Sequence, residues 1–133
     1  MGLLDKQHKP NKNKTLKDSF YHAYEGVNYS ITKERNMHIH ITMAIIVIVF
    51  GAIFRISYAE WLTCLILIAL VISLELVNTA IETVVDMITT KENRAAKTAK
   101  DAAAGAVLVS SFVAALVGII IFLPKVLEFI LGL

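Results

Sequence analysis

The chain has 133 residues, of which 56% are hydrophobic, and a mean hydropathy of +0.65. That balance exceeds the usual soluble domain and leaves a handful of membrane spans with no room for a separate soluble catalytic domain. The net charge of +2 gives no reason to expect nucleic acid as a partner, and the single cysteine, Cys64, excludes an intrachain disulfide and a cysteine-based metal site.

The amino-terminal segment MGLLDKQHKPNKNK is lysine-rich and has neither the apolar core nor the small-residue cleavage site of a signal peptide. It is expected to stay on the protein as a flexible basic tail over residues 1–16. The next segment mixes aromatics with charges. Phe20, Tyr24 and Val27 recur at i, i+4 and i+7, which predicts an amphipathic helix lying on the membrane surface over 17–35. The alternative is an ordinary juxtamembrane linker.

Three apolar stretches of the length a bilayer demands follow, over 37–54, 61–90 and 98–124, the last ending at Pro124 and Lys125. FRISYAEW between the first two is short enough only for a tight hairpin. TTKENRAAKTAK between the second and third reads as a longer charged linker. The expected fold is therefore an all-α membrane protein, one domain of three transmembrane helices and a surface helix.

Lys6, Lys9, Lys12, Lys14, Lys17, Lys33, Arg35, Lys91, Arg94, Lys97 and Lys100 fall on one side of this arrangement, and only Arg55 and Lys125 on the other. The positive-inside rule then makes the amino terminus and the second linker cytoplasmic. ATP would be available on that side.

The second span carries Glu75, Asn78, Glu82 and Asp86. At about 100° per residue these four fall within a sector of roughly 80°, with Thr79 at its edge. An ionised carboxylate facing lipid costs several kcal/mol, so the stripe has to face protein, water or a bound cation. Asn78 and Thr79 could equally be glue between helices. Two glutamates and an aspartate on one face point instead to a cation site, a proton relay or a catalytic base. Because three helices offer few inward surfaces, the stripe also predicts an oligomer.

In AAKTAKDAAAGAVL, Lys100 and Asp101 sit where the third span enters the cytoplasmic interface, followed by small residues that permit close helix approach. A lysine there could neutralise phosphate, and an aspartate could hold a metal or orient the lysine. A snorkelling lysine beside a helix-terminal acid is the plainer alternative. Glu34 stands at the start of the first span, on the same side. There is no P-loop and no kinase glycine loop. His38 and His40 look like a metal motif, but two residues apart on a helix they point about 200° away from each other and cannot share an ion.

The segments KERNMHIH, ELVNTAIETVVD and AKDAAAGAVL closely resemble the small bacterial integral-membrane lipid kinases of the diacylglycerol kinase and undecaprenol kinase family. The resemblance covers roughly residues 17–124, with the pattern E-x-x-N-[ST]-A-I-E-x-x-x-D at its core. It implies a homotrimeric helical bundle in the bacterial cell membrane, with active sites between subunits on the cytoplasmic side. It implies further that Glu75 is the general base, that Asn78 orients the reacting groups and that Glu34 and Glu82 hold the Mg²⁺ bound to ATP. Lys100 and Asp101 would contact the nucleotide phosphates or their surroundings, and Lys91, Glu92 and Asn93 would approach the nucleotide. The ERN motif and lysine-rich tail are more similar to the undecaprenol kinases of Gram-positive bacteria than to diacylglycerol kinases. Ala102 departs from the methionine of many relatives without removing a chemical group. The expected reaction is transfer of the γ-phosphoryl group of MgATP to undecaprenol, a lipid alcohol; diacylglycerol is the alternative acceptor. A small oligomeric cation or proton carrier is the rival of a different class.

Overall fold

A computed structural model describes residues 15–132; the basic segment 1–14, with Lys6, Lys9, Lys12 and Lys14, lies outside the described residues. Four helices follow in order: α1 (Leu16–Lys33), α2 (Arg35–Ile53), α3 (Tyr58–Ile88) and α4 (Arg94–Leu131). There are no strands among the described residues. The last three helices are long and apolar enough to cross a membrane, and the chain is an all-α membrane protein.

Helix α1 begins on a capping box. Thr15 Oγ1 accepts from the Asp18 backbone at 3.3 Å, and the Asp18 carboxylate accepts from the Thr15 backbone at 3.0 Å. Two otherwise unpaired backbone donors are thereby satisfied. Phe20 and Tyr24 are exposed, and Val27 borders on exposure. Their stripe therefore meets no protein surface within the chain, the behaviour of a helix whose apolar face is available to lipid. The chain breaks at Glu34, whose φ of −95° and ψ of 119° are extended, and α2 starts one residue later. His38 Nε2 meets the Ile31 carbonyl and ties this corner together.

The α2–α3 hairpin is tight. Arg55 takes a φ of 49°, in the left-handed region, and Ser57 caps α3 through a second box with Glu60. Gly51 is required here. A Cβ at that position would stand 2.8 Å from Trp61 Cη2 and 3.1 Å from Ile56 Cδ1, closer than unstrained packing permits. Ile56, Cys64 and Ile121 form the buried core of this end, with Val47, Phe54, Trp61, Val117 and Phe122 against them. Cys64 is accordingly a buried apolar filler.

The largest departures from the expected boundaries are at the two ends of α4. The charged linker shortens to 89–93, because Asn93 Oδ1 accepts from Ala95 and Ala96 at 2.8 and 3.2 Å and starts α4 at Arg94. Lys97, Lys100 and Asp101 thus lie on a rigid helix, where alanine-rich sequence favours helix strongly. At the other end, α4 does not stop at Pro124 but runs to Leu131. Proline leaves the Ile120 carbonyl without its helical donor. Tertiary contacts hold the continuation: Lys125 pairs with Glu60 at 3.2 Å, and the ring of Phe129 meets that of Phe54 edge-on at 6.2 Å.

Helices α3 and α4 pack as the main pair, α2 lies against α3, and α1 touches both α2 and α3. Among the small residues at 102–106, Ala103 is buried, while a Cβ on Gly105 would meet nothing within 4 Å. Close approach at Gly105 is thus not used within the chain. At about 1.5 Å per residue, Glu75 sits some 26 Å along α3 from Tyr58, and Asp86 some 16 Å further on, at the end opposite the aromatic core.

Candidate active site

The polar stripe of α3 is graded in burial. Glu75 is 1% exposed, Asn78 and Thr79 are also buried, Glu82 is half-buried, and Asp86 is exposed. Helical periodicity puts these residues on one face, and α2 and α4 cover its deeper part. Thr79 is satisfied locally, its hydroxyl donating to the Glu75 carbonyl at 3.0 Å. It therefore serves the helix. Asn78 donates only a long 3.5 Å bond to Glu82 Oε1.

Among the described residues, three buried side-chain oxygens have no hydrogen-bond partner: Glu75 Oε2, Asn78 Oδ1 and Ser111 Oγ. All three residues line one cavity of about 270 Å³, together with Asn36, Ile39, His40, Ala104, Val107 and Leu108. Buried polar atoms are normally paired, and leaving one unmade costs about 1–3 kcal/mol. Three such atoms converging on one space mark a place built for a polar ligand. His40 Nε2 stands 3.9 Å from Glu75 Oε2. Glu34, at the α1–α2 corner, and Glu82 lie within Coulombic reach of Glu75.

A second, larger space of about 680 Å³ runs between α2, α3 and α4, and its walls are overwhelmingly apolar. Ile39, His40 and Ser111 line both spaces. The polar cavity therefore opens directly onto an apolar groove, an arrangement suited to a molecule with a polar head and a greasy tail.

At the outer end of the stripe, Lys100 Nζ donates to both Asp86 oxygens, at 3.0 and 3.3 Å, joining α4 to α3. Asp101 does not orient Lys100. It pairs with Lys97 one helical turn away, because i and i+4 share a helix face while adjacent residues diverge. Lys91, Glu92 and Asn93 are exposed in the short loop at the same end, with Asn93 acting as helix cap. The structure thus draws Glu75, Asn78 and Glu82 together, with Glu34 within Coulombic reach, and leaves Lys91, Glu92 and Asp101 on the outer surface.

Three cavity residues are not site candidates on sequence grounds. Asn36 and His40 are four apart and share a face of α2, but Arg35, His38 and Thr42 are polar in the same part of the helix, so spacing alone does not single them out. Ser111 gives no signal either, since Ser110 beside it is equally apt by sequence but is buried and donates to the Val107 carbonyl at 2.9 Å.

The oxygen donors here suit a hard cation such as Mg²⁺. Among the described residues no group of three His, Cys, Asp or Glu side chains could hold a metal by itself. Mg²⁺ needs only one or two carboxylates when phosphates supply the remaining oxygens, so the residues present fit that ion in company with a nucleotide.

A family model described as prokaryotic diacylglycerol kinase matches residues 21–122. The chain belongs to that family. It is 44% identical over 120 residues to the undecaprenol kinase of Bacillus subtilis, covering 90% of this chain and 97% of the relative. It is also 34% identical over 140 residues to the diacylglycerol kinase of a Synechocystis species, covering 96% of this chain and 80% of the relative. Membership makes this protein a membrane lipid kinase, and ATP its phosphoryl donor.

Proposed function

We propose that the protein phosphorylates undecaprenol, transferring the γ-phosphoryl group of MgATP to the lipid hydroxyl. One observation carries this reading: the three unpartnered oxygens of Glu75, Asn78 and Ser111 face a cavity that continues into an apolar groove. The head of a lipid alcohol would enter that polar cavity while its tail occupies the groove. Undecaprenol is preferred as acceptor because the relative bearing that name matches at higher identity and over almost its full length.

Phosphoryl transfer asks little covalent work of a protein; alignment, charge neutralisation and a proton acceptor are what it needs. Glu75 is the acceptor. Its carboxylate takes the proton from the lipid hydroxyl as that oxygen forms its bond to the γ-phosphorus and the bond to ADP breaks. Ser111 Oγ can donate its hydrogen to the hydroxyl oxygen, and Asn78, beside Glu75 in the cavity wall, orients the reacting groups. Glu34 and Glu82 would hold Mg²⁺, which when bound neutralises charge on the nucleotide phosphates. Lys100 has three donors and commits two to Asp86, leaving one for a phosphate oxygen, with Asp101, Lys91, Glu92 and Asn93 in the nucleotide's surroundings. The excess of Lys and Arg at this end supports a cytoplasmic active site at the bacterial cell membrane, by the positive-inside rule. The exposed apolar faces of α2, α3 and α4 fit a homotrimer whose sites are completed by neighbouring copies.

The test is purified protein with labelled ATP, Mg²⁺ and either undecaprenol or diacylglycerol in mixed micelles. Labelled undecaprenyl phosphate as the main product supports the reading. Mostly phosphatidic acid at equal lipid fractions would move the substrate to diacylglycerol, and no lipid-dependent use of ATP would leave the carrier reading instead.

A further inference from the structure

We infer that His40 is a positioning residue that orients the Glu75 carboxylate for proton abstraction, an inference that rests on the kinase reading above. His40 Nε2 is 3.9 Å from Glu75 Oε2, and the two side chains are 17% and 2% exposed. Among the described residues that line the polar cavity, they are the only titratable groups. The oxygen concerned, Oε2, is fully buried and has no hydrogen-bond partner.

A carboxylate without a partner rotates between orientations, only some of which aim a lone pair at the incoming hydroxyl. Fixing it raises the fraction of productive encounters. An imidazole donating Nε2–H to Oε2 would do this and leave Oε1 for the substrate proton. The distance is a small adjustment beyond hydrogen-bond reach, and such bonds shorten once substrate closes the site. His38, two residues earlier, is turned away and meets the Ile31 carbonyl, so the two histidines have separate tasks.

The other groups facing this pair do not substitute for it. On α2, Asn36 is neutral, and at the α1–α2 corner Glu34 is anionic. On α3, Asn78 and Glu82 offer, respectively, an amide already donating to Glu82 and a second anion. On α4 the cavity is lined by Ser111 and apolar residues, and Lys100 is held outside by Asp86. Asn36 and Asn78 also carry amide N–H groups at the cavity wall, but neither makes a hydrogen bond to Oε2, whereas His40 Nε2 stands 3.9 Å from it. His40 also lines the apolar groove, standing where a lipid headgroup must pass to reach Glu75.

The test measures undecaprenol phosphorylation by the full chain in mixed micelles for His40→Ala, His40→Gln, His40→Leu, and for His40→Ala combined with Glu75→Gln. Removing the partner that orients a functional group commonly costs about 10–100-fold, so His40→Ala should lower kcat by at least about tenfold. The KM values for ATP and lipid should stay within about twofold. His40→Gln, which keeps an N–H donor at similar reach, should recover most of the rate, whereas His40→Leu, of comparable volume, should not. In the Glu75→Gln background, loss of His40 should cost nothing further, since it acts through Glu75. Unchanged kcat in His40→Ala, equal rates in His40→Gln and His40→Leu, or multiplying losses in the double variant would each overturn the inference while the kinase reading stands. A wild-type chain that phosphorylates no lipid alcohol would remove that reading and the inference with it.

Discussion

Lys100 reaches across from α4 to hold both carboxylate oxygens of Asp86 on α3, 14 residues earlier in the chain. This contact closes the outer end of the α3–α4 pair, opposite the pairing of Lys125 with Glu60. The lysine is solvent-accessible, so the pair adds little to stability. Its consequence is geometric: the ammonium is held at the outer end of the polar stripe, where a nucleotide phosphate would approach.

Replacing Lys100 by Met should therefore lower kcat/KM for ATP by at least about tenfold while the thermal unfolding midpoint barely moves, since charge-assisted contacts to phosphate are strong and exposed pairs are weak. Replacing Asp86 by Asn frees the lysine without removing it and should raise the KM for ATP by less than the Lys100→Met change does. Initial rates against ATP concentration, with a parallel melting curve, check both. An Asp86→Asn loss larger than that of Lys100→Met would show that Asp86 has a role beyond holding the lysine.

For Glu75→Gln the shape of the side chain is retained and its basicity is not. Turnover should drop by at least about a hundredfold, the scale of losing a general base, and elution on size-exclusion chromatography should match wild type. Near-normal turnover would take the base role away from Glu75.

Glu34 and Glu82 make a separable prediction. With Gln at either position, the dependence of rate on Mg²⁺ should shift to higher concentration, and a mildly damaged site should recover partly when Mg²⁺ is raised. A titration of activity against Mg²⁺ at fixed ATP reads this directly; curves that superimpose on wild type would remove these residues as ligands.

Gly51→Ala tests the fold away from the site. The added methyl meets Trp61 and Ile56 at contact distances that force one of them to shift, a change that typically costs about 1–3 kcal/mol. The variant should unfold at lower temperature yet keep wild-type KM values at a permissive one. Unchanged thermal stability would mean that Trp61 yields without cost.

Much of the site is legible in the residues because the bilayer makes polar groups expensive. Glu75, Asn78, Glu82 and Asp86 stand out against an apolar span, and helical periodicity alone sets them on one face. The three spans are legible because unbroken apolar runs of about 18 residues or more are long enough to cross a bilayer and rare in soluble domains. Periodicity does not say which helix covers the polar face. The spacing that keeps His40 from sharing an ion with His38 carries no information about Glu75, which lies on another helix.

The set of helices, their faces and the chemistry carried on α3 are written in the residues alone, because they follow from local spacing and from the cost of polar groups in lipid. The folded arrangement, not the residue order, makes Lys100 pair with Asp86 and not with its neighbour Asp101, and carries α4 past Pro124. It also leaves Ser111 rather than Ser110 unpartnered beside Glu75. Each of these depends on where two helices meet. Their crossing is set by the packing of whole side-chain surfaces, which no short window of residues contains.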